Sequence, residues 1–77
     1  MNLQFPLSQL SVGESATVDR IQTSGSMRRR LQDLGIIHGT KIECVLKSPA
    51  GDPVAYRIRG ALIALRNNDS RTIFMNP

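Results

Sequence analysis

The sequence has no tryptophan, one cysteine, one histidine and only three aromatic residues, Phe5, Tyr56 and Phe74. A lone cysteine, Cys44, excludes an internal disulfide, and a small domain that does without such cross-links fits a reducing cytoplasm. A transition-metal site needs three or four convergent ligands, whereas the ligand-type residues here are one histidine, one cysteine and six scattered carboxylates. No metal and no cofactor is therefore expected. Three aromatics are too few to line a groove for proline-rich peptides, and Tyr56 alone is a poor platform for stacking bases. The longest uninterrupted apolar run is Ala61 to Leu65, far short of the roughly 20 residues needed to cross a bilayer. Met1 to Pro6 lacks both the basic start and the apolar run of an export signal, so a soluble cytoplasmic chain is expected and the acceptor-like Asn68-Asp69-Ser70 reads as chance. Neither Gly-x-Ser-x-Gly nor Gly-x-x-x-x-Gly-Lys occurs, and no base is spaced to activate Cys44, which argues against an enzyme.

What is present suffices for one domain, residues 1–77, with 40% apolar and 21% charged residues. The net charge is +4 and eight of the ten cations are arginine, favouring an acidic partner whose carboxylates or phosphates suit a planar fork.

Leu7 to Val12, bracketed by Pro6 and Gly13, is punctuated enough to be a helical turn or a lead-in loop. β-branched residues suggest a strand over 15–22, and the spacing of Val18 and Ile21 breaks strict alternation in the manner of a bulge. Met27, Leu31 and Leu34 recur at helical spacing, with Ser26 placed to cap the start and Gly35 to cap the end. Ile42, Cys44 and Leu46 alternate with Lys41, Glu43 and Lys47, which gives a strand. "SPAGDP" at 48–53 then makes a hairpin with Val54 to Arg59, "ALIALR" supplies a further strand, "NNDS" at 67–70 turns the chain, and Thr72 to Met75 closes the sheet. The expectation is a mainly β domain in which five short strands, with one inserted α-helix, curl into a small barrel around Val18, Leu31, Leu34, Ile42, Leu46, Ile58, Leu62 and Leu65.

The stretch "SMRRRLQDLG", 26–35, places Arg28, Arg29 and Arg30 in a helix's first turn, where cations oppose the dipole at about 0.3–1 kcal/mol each. Arg28 and Arg30 flank the apolar stripe while Arg29 points away beside Asp33, in the less favourable orientation for an i,i+4 pair. A bland account lays their aliphatic stems over the barrel. The sharper one makes them a recognition surface for carboxylate or phosphate.

"MRRRLQDLGIIHGTKIECV", 27–45, followed by "GDPVAYRIRGALIALRNNDSRTIFM", 51–75, resembles the FeoA family of small bacterial proteins in order and spacing. The resemblance implies an SH3-like barrel with an inserted helix, a cytoplasmic location, and a role in ferrous iron uptake beside FeoB, the GTP-hydrolysing membrane transporter. Similar barrels end iron-dependent repressors of the DtxR type. Two departures are visible: the family usually has proline at His38 and alanine at Ser70, both read here as turn positions affecting loop rigidity.

The combined reading is a non-enzymatic accessory protein that docks on the cytoplasmic part of FeoB. Its partner-binding surface centres on Arg28, Arg29 and Asp33, with Leu34, Gly35 and Ile36 setting the shape. The alternatives are a small basic nucleic-acid-binding module, disfavoured by the lack of stacking residues, and a module responding to a transition metal held by His38 or Glu43 of two copies. Composition leaves the oligomeric state open.

Overall fold

Period-two patterning becomes strand throughout the computed structural model, which describes residues 3–77; Met1 and Asn2, the first residues of the amino-terminal stretch read as lacking an export signal, lie outside the described residues. In chain order the elements are β1 (Phe5–Pro6), a 3-10 turn (Leu7–Gln9), β2 (Ser15–Ile21), α1 (Gly25–Asp33), β3 (Lys41–Lys47), β4 (Val54–Ile58), β5 (Ala61–Leu65), α2 (Asn67–Ser70) and β6 (Ile73–Asn76). The strands form one sheet in the order β1-β6-β2-β3-β4-β5, with every neighbouring pair antiparallel.

The sheet curls because the chain gives it no alternative. Between β5 and β6 stand β4, β3 and β2, so a flat sheet would separate them by about 19 Å at the usual strand spacing. The connection from Arg66 to Thr72 is seven residues, four of them wound into α2, which advances only about 6 Å. Bending brings β5 round towards β6, and all the buried apolar side chains fall into one cluster on the concave face. Tyr56, 1% exposed on β4, and the fully buried Ser70 of α2 both lie inside the curl.

Six strands form where five were expected, since Phe5 and Pro6 pair with Met75 and Phe74 as a two-residue edge strand. The irregularity expected in the first long strand is present as a register shift between Val18 and Arg20 against β6. A second shift, between Cys44 and Leu46, was not expected and corrects the core. It sets Leu46 opposite Ala55 on the convex face, where Leu46 is 63% exposed. Leu62 is corrected too: it pairs with Arg57 and is 59% exposed, whereas Ile63 and Leu65 point inward opposite Tyr56 and Val54. A continuous apolar strand offers no alternation from which to tell its faces apart. Leu34 packs at the core's margin, half-buried. Residues 67–70 form a helical turn, and Ser70 within it is fully buried, so that departure from the family pattern lies in the core and not in a surface turn. His38 is in an exposed turn, as expected.

Candidate protein-docking site

The helix that carries the arginine run is held at both ends by glycine backbone. Gly25 takes a left-handed φ of 65° and starts α1 one residue before Ser26; the N-cap is Ser24, and no side-chain hydroxyl caps the helix. The expected Ser26 cap is thus replaced by a turn that only glycine adopts readily. At the other end Gly35, φ 94°, makes a Schellman cap: the Ile36 N–H donates to Leu31 O at 3.1 Å and the Gly35 N–H to Gln32 O at 2.9 Å. Leu31 and Ile36, the apolar pair of that motif, are both fully buried. Thr40 adds a hydroxyl bond of 2.9 Å to Gly35 O.

The three arginines have separate environments. Arg28 Nη1 donates to Ile21 O at 2.9 Å, tying the first turn of α1 to the end of β2. Arg30 Nη2 lies 3.7 Å from Asp69 Oδ2, linking α1 to α2 through a carboxylate whose side chain is 12% exposed. Arg29 is exposed and pairs with no carboxylate among the described residues; neither does Asp33, so the anticipated Arg29–Asp33 ion pair does not form. Arg28, Arg29, Arg30, Asp33 and Leu34 border one shallow groove of about 700 Å³. Of the expected surface residues, Arg28, Arg29 and Asp33 are exposed, Leu34 and Gly35 are half-buried, and Ile36 shapes the site only from beneath.

Sequence reasoning missed Arg59. It occupies the β4–β5 turn with φ 51°, a left-handed conformation uncommon for a side chain of this length, and is followed by Gly60 at φ 83°. Its side chain lies across Gly35, so close that a Cβ there would stand 2.5 Å from Arg59 Cδ. The cation is thereby laid beside the carbonyl end of α1, which a positive charge favours. Arg59 also borders a second concavity of about 580 Å³ with Ile37, His38, Lys41 and Arg57. Within it Arg57 Nε is 3.5 Å from Glu43 Oε1, which leaves Lys41 and Arg59 as the cations not matched to a carboxylate among the described residues. The signal that could have exposed Arg59 is a two-residue hairpin turn, residues 59–60, with arginine where asparagine or aspartate is usual.

Cys44 and the aromatic side chains of Tyr56 and Phe74 are buried or covered. Cys44 is fully buried, and that burial pushes its thiol pKa above the ordinary 9.0. Burial likewise raises Tyr56 above 10.0, opposed by the Ser70 hydroxyl. Tyr56 is therefore removed from any stacking role, while the Phe74 ring is covered by the Arg20 guanidinium at 4.7 Å. Among the described residues no three His, Cys, Asp or Glu side chains gather where they could hold a metal, and no helix is long and apolar enough to cross a membrane.

Comparison with known proteins gives this geometry a lineage. The Fe(2+) transport protein A/Fe(2+) transporter FeoB fusion protein of Porphyromonas gingivalis is 37% identical over 67 residues, which are 87% of this chain and 8% of the relative's length. The chain thus spans a small part of that relative. The solution structure of FeoA from Chlorobium tepidum matches with a TM-score of 0.87 and 33% identity, over 94% of this chain and 69% of the other. FeoA of Stenotrophomonas maltophilia, a prokaryotic SH3 domain protein solved in complex with zinc, matches with a TM-score of 0.82 and 28% identity, over 92% and 88% of the two chains. A manganese-dependent transcriptional repressor shares the fold alone, with a TM-score of 0.87 at 18% identity over 99% of this chain and 42% of the other. The FeoA domain family matches residues 5–77, and the chain, an SH3-like curl of strands with an inserted helix, belongs to that family.

Proposed function

We propose that this chain is a non-enzymatic accessory protein of bacterial ferrous iron uptake, working in the cytoplasm by docking the exposed face of α1 on the cytoplasmic part of the FeoB transporter. The observation that carries the reading is the relative in which the matching domain and FeoB share one polypeptide. Covalent joining raises the effective concentration of two modules into the millimolar range, which favours pairs that work in contact. The free guanidinium of Arg29, beside Asp33 and the half-buried Leu34, offers a sparse apolar anchor ringed by charge. Gly35 and Ile36 fix that surface through the helix cap. Arg28 has two roles on this reading: one nitrogen holds β2 and the rest of its fork faces the groove.

The reading is tested by binding to the cognate FeoB in lipid nanodiscs. Arg29→Glu is expected to weaken binding at least tenfold with an unchanged melting temperature. Undiminished binding by the variant would show that the arginine run is only a solvated face. A base-stacking role in nucleic-acid binding is disfavoured by the buried Tyr56 and the covered Phe74.

A further inference from the structure

We propose that the open edge of β5 is a second docking site, which takes an extended, carboxylate-bearing segment of FeoB as an added strand. The proposal rests on the transporter reading above. β5 ends the sheet, so one side of its backbone has no neighbouring strand. Ile58 and Ala61 close a two-residue turn, which makes them a hydrogen-bonded pair, and the alternation that follows directs the N–H and C=O groups of Leu62 and Ala64 away from β4. Ala61, Leu62 and Ala64 are exposed.

This edge lacks the devices that normally prevent strand addition. The opposite edge, β1, is two residues long and contains Pro6. β5 is a regular five-residue Ala-Leu-Ile-Ala-Leu with no charge, proline or bulge. Its convex face continues into an apolar row, Ala64–Ala55–Leu46, beside Leu62, and both leucines are more than half exposed. A strand laid along β5 would cover Leu62 and satisfy the free amides together.

Charge selects the occupant. From Arg57 to Asn68 the chain has three arginines and no acid; Glu43 pairs with Arg57 and Asp52 accepts from the Asn67 N–H, which leaves Arg59 and Arg66 with no carboxylate partner among the described residues. A second copy paired antiparallel about Ile63 would set each Arg66 against Gly60 and Arg59 of the other, opposing like charges at both ends. A segment carrying a carboxylate opposite Arg66 meets no such repulsion; Arg66 is in extended backbone, so its side chain follows Leu62 and Ala64 on the convex face. The strand is also continuous with the first docking surface, because the turn that starts it places Arg59 over Gly35 at the end of α1.

The test measures binding to the cognate FeoB in nanodiscs, with hydrogen exchange of β5 in the free and bound protein. Ala64→Pro removes an outward amide without touching the β4–β5 ladder and is expected to weaken binding at least tenfold, whereas Ala64→Ser, which keeps the amide, stays within twofold. Arg66→Glu is expected to weaken it as well. In the wild-type complex the Leu62 and Ala64 amides are expected to exchange at least tenfold more slowly, a readout that does not depend on the proline variant folding. If the complex forms but these amides exchange as in the free protein, the β5 proposal is overturned and the α1 reading stands. If wild-type protein does not bind FeoB, both fall. Protection that grows with protein concentration without FeoB would identify a second copy as the occupant and overturn the proposal.

Discussion

Arg59 lies over Gly35, the hairpin turn of β4–β5 clasping the end of α1 through one aliphatic stem. Residue 35 is constrained both by its φ of 94° and by the guanidinium stem above it. Gly35→Ala should cost about 1–2 kcal/mol from the left-handed backbone alone, with a further penalty from displacing Arg59. In a double-mutant cycle followed by thermal melting, Arg59→Ala should recover the steric part and leave the backbone part. Strict additivity would mean that the two residues do not meet.

Leucine-to-alanine changes should separate the observed core from the one that periodicity suggests. Leu31→Ala is expected to cost about 2–5 kcal/mol, since the residue is fully buried and anchors the helix cap. Leu46→Ala and Leu62→Ala should stay within about 0.5 kcal/mol, because both side chains are on the convex face. Urea denaturation of the three variants checks the ranking.

Much of the fold is legible in the sequence, because alternation at 41–44 and 54–58, the Met27-Leu31-Leu34 stripe and the turn residues all encode local geometry. The errors fall where a bulge overrides alternation or where alternation is absent. A bulge in β3 reversed Leu46, and the uniformly apolar β5 left its faces undefined. The two-residue β1 is too short for any periodicity, and it exists only because β6 offers it a neighbour. At the site, the arginine run marks the helix, but its division into Arg28 on a carbonyl, Arg30 on Asp69 and an unpaired Arg29 depends on contacts 7 and 39 residues away in sequence for the first two.

That division gives a direct prediction. Arg28→Ala should lower the melting temperature, losing a partly buried hydrogen bond worth about 1–3 kcal/mol, while Arg29→Ala should leave it unchanged. Arg30→Ala should fall between them, its effect shrinking as salt is raised, because that arginine is mostly exposed.

Alkaline pH should weaken the fold. Cys44 and Tyr56 both have pKa values raised by burial, so the native chain keeps protons that the unfolded chain releases first, from about 9.0 for the thiol and 10.0 for the phenol. Their contribution is complete below pH 9.0 and declines as pH climbs towards the raised native values. Ser70→Ala removes the hydroxyl that lowers the Tyr56 pKa; the phenol should then ionise at still higher pH. Absorbance titration of tyrosinate and urea melts at several pH values measure both effects.

The pairing of Phe5 with Met75 sets the beginning and end of the described chain side by side on one margin of the sheet, opposite in strand order to β5. Polypeptide attached at either end departs from that shared margin, so the domain can be tethered to a much larger neighbour by a single stalk. A circular permutant that bridges these ends with a short flexible loop and reopens between the exposed Pro49 and Ala50 should keep both proposed faces in place, because neither is interrupted by the new join.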